Sequence, residues 1–337
     1  MSDIIKVENL VEVYSDGTKA VQDISFVVKE GEFFGFLGPN GAGKTTTIKI
    51  LTTILRKTAG SVTVAGYDIQ AEAQEIRKLI GVESQETAID ADLTGRENLI
   101  LQGNLQQMHG EILKKRVDEL LKLVELDEAA DKRAAYYSGG MKKRLDLASA
   151  LVHKPRLLFL DEPTTGLDPQ SRATMWAYLE KLNREEGITV FLTTQYMEEA
   201  DRLANRLAIL DYGRIVASGT SMELKQEIGA DAISLSLEKA DVINAGMKEK
   251  AKQILTTIKG VGDVRDSDGG FTVYAKNGGF IIPDIVRAFD ESKIRLSSIN
   301  LSSPTLDDVF LKYTGRRIRP EELKKEASSF MMFGRRR

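Results

Sequence analysis

The chain has no cysteine, so disulfides, thiolate metal sites and cysteine nucleophiles are all excluded. It has little net charge. The 47 lysines and arginines against 50 aspartates and glutamates leave −3, without the basic excess that a dedicated nucleic-acid binder usually carries. No segment approaches the ~20 apolar residues needed to cross a bilayer, and Met1 to Lys6 shows no basic region followed by an apolar run. These absences predict a cytoplasmic protein whose contact with a membrane comes through a partner. Histidine is scarce too: His109 and His153 are the two in the chain.

What is present is an ordinary globular composition, 42% hydrophobic and 29% charged over 337 residues, a length that predicts two domains. The stretch Gly38-Pro39-Asn40-Gly41-Ala42-Gly43-Lys44-Thr45 is a complete G-x-x-x-x-G-K-T phosphate-binding loop. The apolar run Phe33 to Leu37 before it reads as a buried strand, and Thr45 to Leu55 after it as a helix. This order aims backbone N–H groups and the positive end of a helix dipole at an anion. In it Lys44 reaches the β/γ-phosphates and Thr45 holds Mg²⁺.

The strand Leu157 to Leu160 ends in Asp161-Glu162. Beside a phosphate loop, this pair reads as the second half of the site, with Asp161 serving Mg²⁺ and Glu162 free to polarise water. Neighbours on a strand point to opposite sides, so the two carboxylates do not share one task. Ser138-Gly139-Gly140 opens a further helix and offers another set of unpaired N–H groups for phosphate. Tyr14, just before a turn at Gly17, fits two readings, hairpin packing and stacking on a base. Between about residues 90 and 135, Leu113, Val117, Leu120, Leu121 and Val124 recur at helical spacing. Thr94 and Glu97 make a capping-box pattern, so this stretch reads as a helical insertion in a mostly parallel α/β domain closing near residue 220.

From Ala232 the pattern resets to strand-helix-strand-strand-helix-strand, the order of a small ferredoxin-like α+β domain. The expected division is an α/β domain over 1–220, a linker over 221–230, the ferredoxin-like domain over 231–303, and a short helix with a basic tail over 304–337. The second domain shows no catalytic cluster of polar residues, and reads as regulatory or dimer-supporting, with ligand binding as the alternative. Apolar Phe330 to Phe333 beside Arg335-Arg336-Arg337 suits anionic lipid or a membrane partner, and equally a solvated end.

With these motifs in this order, the first 220 or so residues resemble the ATP-binding subunits of ABC transporters. The resemblance implies a P-loop fold and an ATPase using ATP and Mg²⁺. It gives Tyr14 to the adenine, Gly38 to Thr45 with Thr46 to the phosphates, and Gln85 to the Q-loop at the metal. It gives Ser138-Gly139-Gly140 to the signature, Asp161 and Glu162 to the metal and to catalysis, and Asp168 to the D-loop. The family's switch histidine falls at Gln195, which hydrogen-bonds a phosphate or orients water but does not become a cation. The signature reads YSGGM where LSGGQ is commonest. Both departures, with Ser303 to Phe310, resemble the daunorubicin-resistance-type branch of drug-efflux ATPases. That branch implies a subunit peripheral on the inner face of the cell membrane, bound to an integral permease on a separate chain and to a second copy of itself or a homologous ATPase, with no nucleic acid. The rival readings are a soluble ABC-type ATPase acting as a mechanical factor and a nucleotide-binding regulator with little turnover.

Overall fold

The computed structural model describes residues 2–85, 87–228, 231–238, 245–267 and 269–314. They divide into two compact units, the first ending at Ser221 and the second starting at Met222.

The first unit holds two sheets. Strands β1 (Asp3–Val13), β2 (Lys19–Lys29), β4 (Ala59–Val64) and β5 (Tyr67–Asp68) form an antiparallel sheet in the order β2-β1-β4-β5. The larger sheet contains β3 (Phe33–Leu37), β6 (Ile80–Glu83), β7 (Leu157–Asp161), β8 (Thr189–Thr194), β9 (Arg206–Asp211) and β10 (Arg214–Gly219). Its order is β10-β9-β3-β8-β7-β6, parallel except for the β9–β10 hairpin.

The apolar runs of β3, β7 and β8 are continuous because both faces of this sheet are covered. On one face Phe34, Phe36, Phe159 and Phe191 pack with Phe26 of β2, the ring centroids of Phe34 and Phe191 lying 5.7 Å apart. On the other, Leu158, Leu160, Val190 and Leu192 meet the helices, among them α5 (Gly139–Ala150) and α6 (Pro169–Glu186).

Helix α1 (Lys44–Leu51) follows the glycine loop and stops short of the expected Leu55, because Thr53 takes a left-handed conformation at φ 64°. Helix α2 (Ala73–Leu79) leads into β6. The expected insertion is built from α3 (Gly95–Leu105) and α4 (Gly110–Leu123). Thr94 and Glu97 form the reciprocal capping box at its start. Leu113, Val117, Leu120 and Leu121 are buried on one stripe of α4. Helix α5 ends at Ala150, before His153. A short helix α7 (Met197–Leu203) follows β8. The stretch read as a linker carries α8 (Ser221–Ile228), with Leu224 buried.

The second unit runs β11 (Asp231–Leu237), α9 (Ala245–Thr257), β12 (Val261–Ser267), β13 (Gly270–Ala275), α10 (Gly278–Glu291), β14 (Leu296–Ser302) and α11 (Leu306–Thr314). Its antiparallel sheet has the order β12-β13-β11-β14, the ferredoxin-like arrangement. Alternate residues Ile233, Leu235 and Leu237 with Phe271, Val273 and Ala275 form one apolar face. Ala251 and Leu255 of α9 and Ile281, Ile285 and Phe289 of α10 cover that face. The apolar and basic tail at Phe330 to Arg337 lies outside the described residues.

Candidate functional site

The loop between β3 and α1 is fixed at both ends. Gly38 N–H donates to Thr194 O at 3.1 Å, and Ala42 O accepts from Gly213 N–H at 3.0 Å. Gly43 sits at φ 101°, where a side chain would place its Cβ 2.4 Å from Ala20 O, so glycine is required by conformation and by space. The N-terminus of α1 has no side-chain cap and no acidic residue in its first turn. Its N–H groups are therefore presented to an external anion.

Lys44 is buried, with Nζ donating to Gly38 O at 2.8 Å and Pro39 O at 3.1 Å. The same Nζ lies 3.0 Å from Glu162 Oε1. Thr45 Oγ1 donates to Asp161 Oδ1 at 3.3 Å. The strand order thus brings two motifs more than a hundred positions apart to the C-terminal ends of one parallel sheet, where such sheets form their ligand crevices. Glu162 itself is held in the left-handed region at φ 53°, with its N–H bonded to Thr193 O at 3.1 Å. That conformation is unfavourable for a non-glycine residue and is characteristic of functional positions. Thr165 Oγ1 and Gln195 Nε2 approach Glu162 Oε2 at 3.3 and 3.5 Å, and Gln195 is itself buried.

Tyr14, Asn40, Lys44, Thr45, Gln85 and Glu162 line a cleft of about 420 Å³ that also takes in Gly41, Gly43 and Thr46. Tyr14 stands at its rim, 37% exposed, with its hydroxyl 3.1 Å from Thr46 Oγ1. Gln85 is exposed at the end of β6. Thr45 and Asp161 present hard oxygen donors, few enough to leave the rest of an octahedral shell to phosphate and water, as Mg²⁺ prefers. Among the described residues no group of three or more His, Cys, Asp or Glu gathers as a metal cage. The donor set therefore fits a metal delivered with nucleotide phosphates.

The signature residues are elsewhere. Ser138 caps α5, accepting from Met141 N–H at 3.2 Å. It and Gly140 line a separate cleft of about 250 Å³ with Arg144, Gln170 and Ser171. Beside them Asp168 caps α6, accepting from the N–H groups of Gln170 and Ser171 at 3.1 and 3.0 Å. Ser171 Oγ also donates to Asp168, at 2.6 Å, and holds the carboxyl below the usual aspartate range. Neither histidine stands in for Gln195. His109 contacts Asn104 at 3.1 Å, and His153 Nε2 lies 2.9 Å from Ile80 O, its pKa lowered by burial.

Several polar groups near the site do not show in the motif reading. Thr193 Oγ1 donates to Asp161 Oδ1 at 2.6 Å, closer than Thr45 does. Two positions before Gln85, Glu83 is fully buried, and burial pushes its pKa up to about 8. Lys143 of α5 lies 3.4 Å from it. Burial likewise raises Asp146, on the same helix, to about 6. The sequence signal for this cluster is an acid inside an otherwise apolar strand.

Residues 21–165 match the ABC transporter family, and residues 219–314 match the C-terminal domain of DrrA1-3-like ATP-binding proteins. The daunorubicin resistance ATP-binding protein DrrA3 of Streptomyces coeruleorubidus is 42% identical over 92% of this chain and 96% of its own length. The linearmycin resistance ATP-binding protein LnrL of Bacillus subtilis is 37% identical over 94% of this chain and 100% of its own. Among solved structures, a dimeric post-hydrolysis state of the ATP-binding cassette MJ0796 bound to ADP and Pi superposes with a TM-score of 0.59. It is 30% identical and covers 64% of this chain and 98% of that one.

Proposed function

This chain belongs to the ATP-binding subunits of ABC transporters, in the drug-resistance branch that carries a DrrA-type C-terminal domain, and from that premise we propose how its residues perform the work. The subunit hydrolyses ATP with Mg²⁺ to ADP and phosphate and drives export by a separate permease. In the proposed site, Gly38 to Thr46 wrap the phosphates and Lys44 neutralises them. Tyr14 offers its partly exposed ring to the base. Thr45, Asp161 and Gln85 hold the metal, which when bound offsets the charge that develops on the transferred phosphate. Glu162 takes the proton of the attacking water, and Gln195, adjacent to Glu162 Oε2, orients that water and the terminal phosphate.

The observation that carries the dimer reading is the separation of the two phosphate-binding elements. Lys44, Thr45 and Glu162 share one cleft, while Ser138 and Gly140 line another beside Ser171, next to Asp168. A single chain thus supplies each half of a site once. We take the functional unit to be a head-to-tail pair with a second copy or a homologous ATPase subunit. Each ATP lies between the phosphate loop of one chain and Ser138 to Gly140 of the other, and hydrolysis releases the pair.

A groove of about 290 Å³ lined by Ile54, Arg77, Gln102, Gln106 and Asp146 lies between the α1 region and the helical insertion, and exposed Ile54 gives it an apolar edge. We take it as the surface on which a cytoplasmic helix of the permease docks, with the subunit then lying on the inner face of the membrane. The names of the relatives make amphipathic antibiotics the substrate class to test first. The test is steady-state ATPase activity of the chain alone and with its co-expressed permease in vesicles. Turnover that rises with the permease and with such a substrate supports this reading, and turnover indifferent to the permease supports a free-standing mechanical ATPase.

A further inference from the structure

The chemistry so far uses three separate segments: the turn carrying Glu162, the helix behind Asp168, and the residues after Gln195. One side chain joins all three. Glu199 of α7 is fully buried, and its Oε1 accepts from Thr164 Oγ1 at 2.8 Å and from Trp176 Nε1 at 2.9 Å. Thr164 lies two residues after Glu162, in the turn whose next residue, Thr165, approaches the Glu162 carboxylate. Trp176 sits on α6, the helix that Asp168 caps. Glu199 itself stands four residues after Gln195. Arg172 of α6 adds a second brace, its guanidinium 4.4 Å from the ring centroid of Tyr196, next to Gln195.

Stability alone does not account for a carboxylate here. Glu199 Oε2 is buried with no hydrogen-bond partner among the described residues, and burial raises the pKa of the acid against the opposing hydrogen bonds of Thr194, Thr164 and Trp176. A buried acid in that condition is costly, and an apolar side chain of similar size removes the cost. What an apolar replacement lacks is a single acceptor that two donors from different segments reach at once.

We propose that Glu199 is a positioning residue for ATP hydrolysis, its Oε1 fixing the turn after Glu162 and the helix behind Asp168 to the helix behind Gln195 so that the three move as one body. The inference rests on the hydrolytic roles proposed above for Glu162 and Gln195. Glu199 does not touch substrate, so it governs the rate of the chemical step and leaves nucleotide binding to the phosphate loop.

The experiment compares wild-type, Glu199→Gln, Glu199→Ala and Trp176→Phe full-length chains. Trp176 is the only tryptophan in the sequence, so its emission reports this hydrogen bond directly. Glu199→Ala is expected to lower kcat by about tenfold or more with KM for MgATP within about twofold, and to shift the Trp176 emission maximum without nucleotide. Glu199→Gln keeps a carbonyl oxygen for both donors and is expected to restore kcat to within about threefold of wild type. Trp176→Phe, which keeps an aromatic side chain but loses the indole N–H donor and the second ring, is expected to slow turnover at unchanged KM. Wild-type kcat in folded Glu199→Ala, or in Trp176→Phe should Glu199→Ala not fold, overturns the proposal. So does a Gln variant as slow as the Ala variant, or an unmoved tryptophan emission. A wild-type chain that turns over no ATP counts against the proposed function alone, because the emission arm reads the bond without turnover.

Discussion

Lys44 Nζ and Glu162 Oε1 lie 3.0 Å apart with both side chains almost fully buried. The residue proposed to neutralise phosphate is thus paired with the residue proposed to act on water. A buried pair of this kind is balanced by mutual attraction and by the remaining hydrogen bonds, here from Lys44 to Gly38 O and Pro39 O. In the proposed site, nucleotide binding would exchange the carboxylate at Lys44 for phosphate and free Glu162 for the water. Glu162→Gln is therefore expected to bind MgATP at least as tightly as wild type while hydrolysis falls by about 100-fold or more. Equilibrium binding and single-turnover hydrolysis check the two halves separately. Turnover near wild type removes Glu162 as the base.

Gln195, the position that the resemblance assigns to the switch histidine, has Nε2 3.5 Å from Glu162 Oε2. An amide donates and accepts without titrating, so its contribution to the rate is expected to be flat across neutral pH. Gln195→Ala is expected to lower kcat by about tenfold with little change in ATP affinity. Gln195→His is expected to introduce a change in rate centred near pH 6.5, the ordinary histidine range, that wild type lacks. The ratio of the two pH–rate profiles gives the answer, and a constant ratio between pH 5.5 and 8 counts against direct contact of residue 195 with the reacting groups.

The phosphate loop was legible because its signal is local: the strand, the glycines and the helix follow one another directly between Phe33 and Leu51. The ferredoxin-like unit was legible from element order alone, since Ile233, Leu235 and Leu237 alternate and α10 repeats its apolar residues every fourth position. What escaped is what depends on register between distant strands. Asp161 is opposite Thr193 in the parallel pairing of β7 with β8, which is why the threonine hydroxyl reaches the carboxylate. Nothing in the local pattern of the short polar helix around Glu199 says that Trp176 and Thr164 converge on it. The early end of α1 was hidden for a similar reason, since a left-handed Thr53 has no propensity signature.

Glu83 predicts a pH dependence of stability. Its folded pKa is raised to about 8 by burial, with Asp146 and Glu199 adding to the shift and Lys143 opposing it. An unfolded glutamate titrates near 4.3. Between these values the folded chain holds a proton that the unfolded chain has released, so stability falls as pH rises from about 4.3 to about 8 and levels off above that. Glu83→Gln is neutral throughout and is expected to lose Glu83's share of this slope, gaining on wild type by on the order of 2 kcal/mol between pH 6 and 8.5. Buried Glu199, its pKa also raised by burial, keeps its own share in both proteins. Asp146, raised to about 6, leaves a smaller slope below pH 6 in the variant. Urea midpoints at several pH values measure it, and parallel curves for the two proteins rule out a protonated Glu83.

Gly140 links the two elements that the dimer reading places against the partner's nucleotide. A Cβ built on Gly140 lies 2.9 Å from Ser171 Oγ and 3.3 Å from Ser171 Cβ. Ser171 Oγ in turn donates to Asp168 Oδ2 at 2.6 Å, and Ser171 N–H to Asp168 Oδ1 at 3.0 Å. A methyl group at 140 therefore displaces the serine hydroxyl and loosens the cap of α6, at a cost of about 1 kcal/mol in that cap. The phosphate loop cleft does not include either residue. Gly140→Ala is expected to leave ATP binding to the isolated chain within about twofold of wild type and to abolish ATP-dependent pairing in a Glu162→Gln background, where hydrolysis cannot release the pair. Ser171→Ala in the same chain relieves the crowding while removing only one of three bonds to Asp168, so it is expected to restore part of the pairing. Size-exclusion chromatography with light scattering, with and without MgATP, reads both outcomes. Undiminished pairing by Gly140→Ala excludes Ser138 to Gly140 from the shared site.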